Sequence, residues 1–225
     1  MSAVCDAIVL AAGNGDRFLN GTCQSKLLEP VLGVPLILRT LDSARAAGIS
    51  HVDVVLGYQA ERIRAVIERG APTGFVRRFH LNPDWHRENG LSVLTARDAF
   101  AESRFALLMG DHVFDPVALQ WLLAAESRAD ESLLAIDRRP APSAIAAEAT
   151  RVRLNGDRIV AIGKQLEPYD ALDTGIFVCA SVVFEAVAAE CAAGLVRGVD
   201  VGDALWRDID TVDDLQAAEA LLSHL

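Results

Sequence analysis

Lysine is nearly missing from this chain: of its 21 basic residues only Lys26 and Lys164 are lysine. A chain that otherwise uses arginine keeps a lysine where a compact ammonium is wanted rather than a planar fork. Both open the same string, Lys-x-Leu-Glu-Pro, at residues 26–30 and 164–168. Positive charge as a whole is scarce. The formal net charge of -10 excludes the basic footprint that nucleic acid or an anionic membrane demands, but leaves room for a small anionic ligand wherever cations gather locally. Long apolar runs are missing as well. None approaches the ~18 residues of a membrane span, and no basic-then-apolar export segment opens the chain. The four cysteines, Cys5, Cys23, Cys179 and Cys191, lack metal-ligand spacing and fall mostly in apolar runs. They read as reduced, buried thiols, so the expectation is a soluble cytoplasmic protein. With 52% hydrophobic residues over 225 positions, the chain can bury one substantial core, and a single domain over 1–225 is expected.

The apolar residues show how that core is built. Residues 7–12 form a continuous apolar run stopping at Gly13, the pattern of a strand buried on both faces. Residues 13–33 are rich in Gly, Asn, Asp and Ser and read as a long loop. Strands at 52–56, 74–81, 105–109 and 132–136 then alternate with helices at 35–48, 60–68, 90–100 and 115–125, the last opened by Asp115 as N-cap and Pro116 at its first turn. Beyond them, Asn155-Gly156-Asp157 supplies a tight primed turn between strands at 150–154 and 158–162. A strand at 174–180, a helix at 182–191 and a final helix at 211–222 capped by Thr211 complete the pattern. The fold class is α/β, a doubly wound, mostly parallel sheet with a small antiparallel excursion.

Gly13-Asn14-Gly15 follows the first buried strand directly, where open α/β sheets bind ligands and glycines let backbone N–H groups approach a phosphate. Neither familiar phosphate loop fits: a third glycine is missing, and so is Gly-Lys-Ser/Thr. A glycine-rich turn without a ligand is the plainer alternative for this segment. Four strings together say more. Leu10-Ala-Ala-Gly-x-Gly-x-Arg17, Lys26-Leu-Leu-Glu-Pro30, Gly110-Asp111-His112 and Trp206-Arg-Asp208-Ile-Asp210 resemble, in order and over nearly the whole chain, the signature of the sugar-phosphate nucleotidyltransferase superfamily. Ser25 stands where that family usually has proline.

The resemblance implies a Rossmann-like nucleotidyltransferase fold and a reaction in which a nucleoside triphosphate and a phosphorylated alcohol yield an activated alcohol and pyrophosphate. The chemistry suits the residues, because bringing two anions together calls for charge neutralisation and in-line positioning. Arg17 would hold the β- and γ-phosphates, Lys26 the α-phosphate region, and Lys164 the acceptor's phosphate, with Asp111 completing the catalytic set. Asp111, Asp208 and Asp210 are the candidate ligands for Mg²⁺, a hard cation that takes carboxylate oxygens. Each has a plainer reading, Asp111 as a cap and Asp210 as a first-turn charge of the last helix. The nucleotide site would comprise Leu10, Ala11, Ala12, Gly13, Asn14 and Gly15, with Asn89, Gly90 and Ser92 reading the base unless they serve only as a helix entry. His112, Lys164, Asp173 and Thr174 would face the acceptor, His112 in a positional role, since an ionised phosphate nucleophile needs no strong base.

Within the superfamily, Gly110-Asp-His112, Asp173-Thr-Gly-Ile-Phe177 and Trp206-Arg-Asp-Ile-Asp-Thr211 look most like inositol-1-phosphate cytidylyltransferases, making CTP the expected nucleotide. Phosphocholine or aminoethylphosphonate cytidylyltransferases, hexose-1-phosphate and molybdopterin-cofactor nucleotidyltransferases, and a noncatalytic nucleotide sensor stay open. Trp85, Tyr169 and Trp206 could cage a cationic acceptor.

Overall fold

The computed structural model describes residues 4–15, 25–87, 89–101, 103–140, 149–188 and 196–223; Arg17, Cys23 and Cys191 lie outside them. In chain order the elements begin with β1 (Asp6–Ala11), a 3₁₀ turn (Lys26–Leu28), β2 (Pro30–Val31), β3 (Val34–Pro35), α1 (Leu36–Ala46), β4 (His51–Leu56), α2 (Ala60–Gly70) and β5 (Val76–Leu81). Next come α3 (Asn89–Thr95), α4 (Arg97–Phe100), β6 (Phe105–Met109), β7 (His112–Phe114), α5 (Pro116–Ala124) and β8 (Ser132–Asp137). The last third contributes β9 (Arg151–Asn155), β10 (Arg158–Gly163), β11 (Ala171–Cys179), α6 (Val183–Ala188), β12 (Val196–Asp200), β13 (Trp206–Asp208) and α7 (Val212–Leu222).

Nine strands form one mixed sheet in the order β5-β4-β1-β6-β11-β8-β12-β10-β9. The β5-β4-β1-β6 half is parallel throughout. The other half starts with β11, which is antiparallel to both its neighbours β6 and β8, while β12 runs parallel to β8. The antiparallel part is therefore larger than the β9–β10 hairpin, because β11 sits in the middle of the sheet. Its burial on both faces hides its direction from the sequence: an apolar run has no period that encodes which way a strand points.

Successive residues of β1 feed opposite cores. Ala7, Val9 and Ala11 join α1, α2 and α5 in the larger cluster, whereas Ile8 meets Val93, Phe100 and Phe184 on the other face. This two-sided burial is what a continuous apolar strand requires. The expected helix at 90–100 is two short helices broken at Ala96 (φ -98°, ψ 5°), and Pro35 stands before α1 as its N-cap residue. The Asp115 and Thr211 caps form, the second as a full capping box with Asp214. Cys5 is exposed and Cys179 buried. The buried-thiol expectation therefore fails for Cys5, which precedes β1 instead of lying inside it.

Two connections hold the turn after β6 in place. Gly110 N–H donates to Leu10 O at 2.8 Å, and a Cβ on Gly110 would stand 2.8 Å from that same oxygen, so only glycine lets the β6 end close against β1. Thr40 of α1 is fully buried, with Oγ1 3.0 Å from Gly110 O and 2.9 Å from His112 O. It ties the turn that carries Asp111 to the helix behind it. Thr40→Val keeps the shape and removes the donor, so unfolding in urea should show a loss of about 1–2 kcal/mol; an unchanged midpoint would deny the tie.

Candidate active site

A cleft of about 1150 Å³ opens along the carboxyl edge of the parallel strands. Asp111 enters it from the end of β6. Asp208 enters from β13, whose antiparallel pairing with β7 sets Asp208 opposite His112. Neither β7 nor β13 is anticipated by the sequence, since three-residue strands leave no readable period, yet this small ribbon draws the C-terminal carboxylates to Asp111. Ile209 N–H donating to Asp111 O at 3.1 Å closes the join.

Lys26 is the cation at its centre. Its Nζ lies 2.7 Å from Asp111 Oδ2 and 2.8 Å from Asp210 Oδ1, with the side chain 9% exposed. The 3₁₀ turn that presents it is capped by Ser25, whose φ of -61° would also suit proline. Gly15 lies against its stem: φ is +64°, and a Cβ there would meet Lys26 Cγ at 2.9 Å. Burial pulls the ammonium's pKa down, but Asp111, Asp208 and Asp210 together outweigh it and hold Lys26 above the usual lysine range. Asp111 shifts the opposite way. Burial favours its neutral form, yet Lys26 and His112 keep it ionised well below the normal carboxylate range.

Asp208 is different. One carboxylate oxygen, Oδ1, is buried without a hydrogen-bond partner among the described residues. It stands 3.7 Å from His112 Nδ1, which itself is 2.9 Å from Asp111 Oδ1. The donor atoms of Asp111, His112 and Asp208 all lie within 4.8 Å of one another. An orphaned buried oxygen beside a second carboxylate fits a divalent cation, because burial without compensation is costly. A hard ion would take the Asp111 and Asp208 oxygens, with His112 as their orienting partner. Burial, aided by Asp111 and Asp210, pushes Asp208 up to about 6 against the opposing pull of His112 and Lys26.

Leu10, Ala11, Gly13, Asn14, Gly15 and Gly90 line the cleft on the β1 side, and Lys164 and Asp173 line it on the β11 side. Lys164 is exposed, and Asp173 accepts from Gly175 N at 2.7 Å while burial raises its pKa. Three expected residues face elsewhere. Ala12 is buried, its carbonyl taken by Tyr58 N–H; Ser92 accepts from Asn82 in the interior; Thr174 donates to Ala135 O. In each, the polar group has a partner inside the fold, and none of the three lines the cleft. Asn89 begins α3. Asp210 pairs with Lys26, leaving Asp208 beside Asp111.

The sequence reading missed Asp137 and Arg139, and it gave Gly175, inside the Asp173–Phe177 string, no role of its own. Gly175 (φ +72°) is packed so that a Cβ would come within 2.6 Å of His112 Nε2. Asp137 and Arg139 line the cleft at the end of β8, and the signal for them was a charged cluster directly after a buried strand.

Residues 7–194 match the family described as the MobA-like NTP transferase domain. The chain belongs to that family. Among curated relatives, the "Bifunctional IPC transferase and DIPP synthase" of Rubrobacter xylanophilus is 36% identical over 96% of the chain, and that of Archaeoglobus fulgidus is 33% identical over 96%. The chain spans 51% and 43% of their lengths, about half of the curated relatives it matches. A solved structure titled as the inositol-1-phosphate CTP transferase from T. maritima superposes with TM-score 0.83 at 26% identity, over 99% of this chain and 96% of the other. No helix among the described residues is long and apolar enough to cross a membrane.

The Asp208 shift gives this NTP transferase domain a pH signature. A carboxyl raised from 3.8 to about 6 stays protonated in the fold while its unfolded counterpart ionises, so its contribution to stability is lost as pH rises through that window. A divalent cation would reverse this by taking the ionised form. The rise in melting temperature caused by Mg²⁺ should be small at pH 5 and substantially larger at pH 7; equal rises at both would exclude Asp208 as a ligand.

Proposed function

We propose that this chain transfers CMP from CTP to inositol-1-phosphate, releasing pyrophosphate, with Mg²⁺ held by Asp111 and Asp208. The observation that supports it most is the gathering of Lys26, Asp111 and Asp208 in one cleft on a backbone that superposes on an inositol-1-phosphate CTP transferase over nearly its full length. The buried free thiol of Cys179 fits a reducing compartment such as the cytoplasm.

CTP lies over Gly13 and Gly15, whose backbone can approach its phosphates, with Gly90 beside the base and Arg17 taking the β- and γ-phosphates. The acceptor phosphate lies on the Lys164 and Asp173 side. Its oxygen, already ionised at neutral pH, attacks the α-phosphorus in line; the bond from that phosphorus to the bridging oxygen breaks, and pyrophosphate leaves with the electron pair. Lys26 has three N–H donors. Two are engaged by Asp111 and Asp210, and the third is available to a non-bridging α-phosphate oxygen as negative charge accumulates there. Asp111 and Asp208 would hold Mg²⁺, which would supply Lewis-acid charge for the transfer. His112 holds the Asp111 carboxylate in register and moves no proton.

Pyrophosphate release measured across the four nucleoside triphosphates, each with inositol-1-phosphate, phosphocholine and hexose-1-phosphates, should be fastest for CTP with inositol-1-phosphate. Faster turnover of a hexose-1-phosphate with UTP or dTTP would overturn the substrate assignment and leave the reaction class standing. Lys26→Arg keeps the charge, but a planar guanidinium does not fit between two carboxylates and Gly15. Turnover should fall by about 10²–10³, the usual cost of losing one preorganised electrostatic contact; a wild-type rate would remove the ammonium from the mechanism.

A further inference from the structure

The end of β8 carries an ionic arrangement that cytidylyl transfer through Lys26, Asp111 and Asp208 does not use. Asp137 is buried, and its carboxylate accepts four N–H groups. Arg139 N and Nε donate to Oδ1, both at 2.9 Å, and Arg139 Nη2 and Trp206 Nε1 donate to Oδ2 at 2.8 and 2.9 Å. Nη2 also donates to Ala204 O at 3.1 Å. One edge of the Arg139 guanidinium is thus fixed at three acceptor atoms. Nη1, with two N–H groups, makes no hydrogen bond among the described residues, and Arg139 lines the cleft with its side chain 38% exposed. A guanidinium held at Nε and Nη2, with the two N–H groups of Nη1 left toward the cleft, can receive a phosphate oxygen with little loss of side-chain freedom.

Topology decides which phosphate. β1, whose loop receives the triphosphate, is followed in the sheet by β6, β11 and β8, so Arg139 is rooted three strand spacings, about 14 Å, from it. Asp111 leaves the strand between, next to β1. Asp173 is paired with Ile136 and Leu172 with Asp137, which sets Arg139 beside the residues on the acceptor side. Lys164, the other cation there, is exposed and makes no ion pair among the described residues. Trp206 completes the link: its ring stacks over His112 at 6.4 Å and 18° while its N–H holds Asp137.

We infer that Arg139 receives the phosphate of the acceptor, aimed by Asp137 and tied through Trp206 to the Asp111–His112–Asp208 cluster. Arg139 is the specificity residue for a phosphorylated acceptor; Asp137 and Trp206 are positioning residues. The inference rests on the cytidylyl-transfer reading. Its test is steady-state kinetics with CTP and inositol-1-phosphate on the full chain, reading the two KM values separately.

Arg139→Lys keeps the charge and loses the fork, and should raise the KM for inositol-1-phosphate about 10- to 100-fold, the loss of one charged contact, with the KM for CTP unchanged. Asp137→Asn combined with Arg139→Gln leaves no unpaired carboxylate and should do the same. Trp206→Phe keeps the stacked ring and loses only the N–H, so it should raise the acceptor KM by less, again without moving that for CTP. A purely structural role would move both KM values or neither. If wild-type protein turns over the pair and Arg139→Lys leaves the acceptor KM where it was, or raises the KM for CTP instead, the assignment of Arg139 is overturned while the reaction stands. If wild-type protein turns over no phosphorylated alcohol with any nucleoside triphosphate, the functional reading falls and this inference with it.

Discussion

One buried ammonium organises the cleft. Lys26 Nζ bridges Asp111, just after β6, and Asp210, which precedes the last helix and lies 184 residues from the lysine in the chain. Neither side could exist alone at this depth. A buried carboxylate pair would repel and a buried ammonium would lose its water, and breaking such a contact typically costs about 3–5 kcal/mol because the remaining charge is stranded. The pairing has a second effect, since it separates the carboxylates by task. Asp210 is spent on Lys26, whereas Asp208 keeps an oxygen that none of the described residues satisfies.

The sheet puts these groups at one edge by a change of direction. Up to β6 the chain is a parallel α/β unit, and its strand ends all meet the same cleft. β11 then enters antiparallel between β6 and β8, so it is the start of that strand, with Asp173, that arrives where β6 and β8 end. The cleft consequently has two unlike sides: glycine loop and backbone toward β1, fixed charges toward β8. Two reactants that repel each other can be held at such a cleft because each has its own source of cations.

Much of this was legible in the sequence, and the reasons differ by element. β1 and β6 are read from continuous apolar runs, β4 and β8 from their place in the alternation of strands and helices, and the hairpin at Gly156 from its turn residues. Lys26 announced itself by rarity, and Asp111 through the family resemblance of Gly110-Asp111-His112. What could not be read was set by partners distant in sequence. β7 and β13 are three residues each and exist only as a pair; β11 gives no sign of its direction; Thr174 and Ser92 have residue types suited to a ligand, yet bond to Ala135 and Asn82 inside the fold. Periodicity reports burial, whereas the choice between Asp208 and Asp210 depends on which of them Lys26 reaches.

That division of labour is the central claim, and a paramagnetic ion reads it directly. With Mn²⁺ in place of Mg²⁺ and CTP present, electron–nuclear double resonance should detect ³¹P coupling from the nucleotide to the bound metal in the wild-type chain. The coupling should survive Asp210→Asn and vanish in Asp208→Asn. Survival in Asp208→Asn with loss in Asp210→Asn would contradict the account, because the carboxylate assigned to the lysine would then be the one that holds the metal.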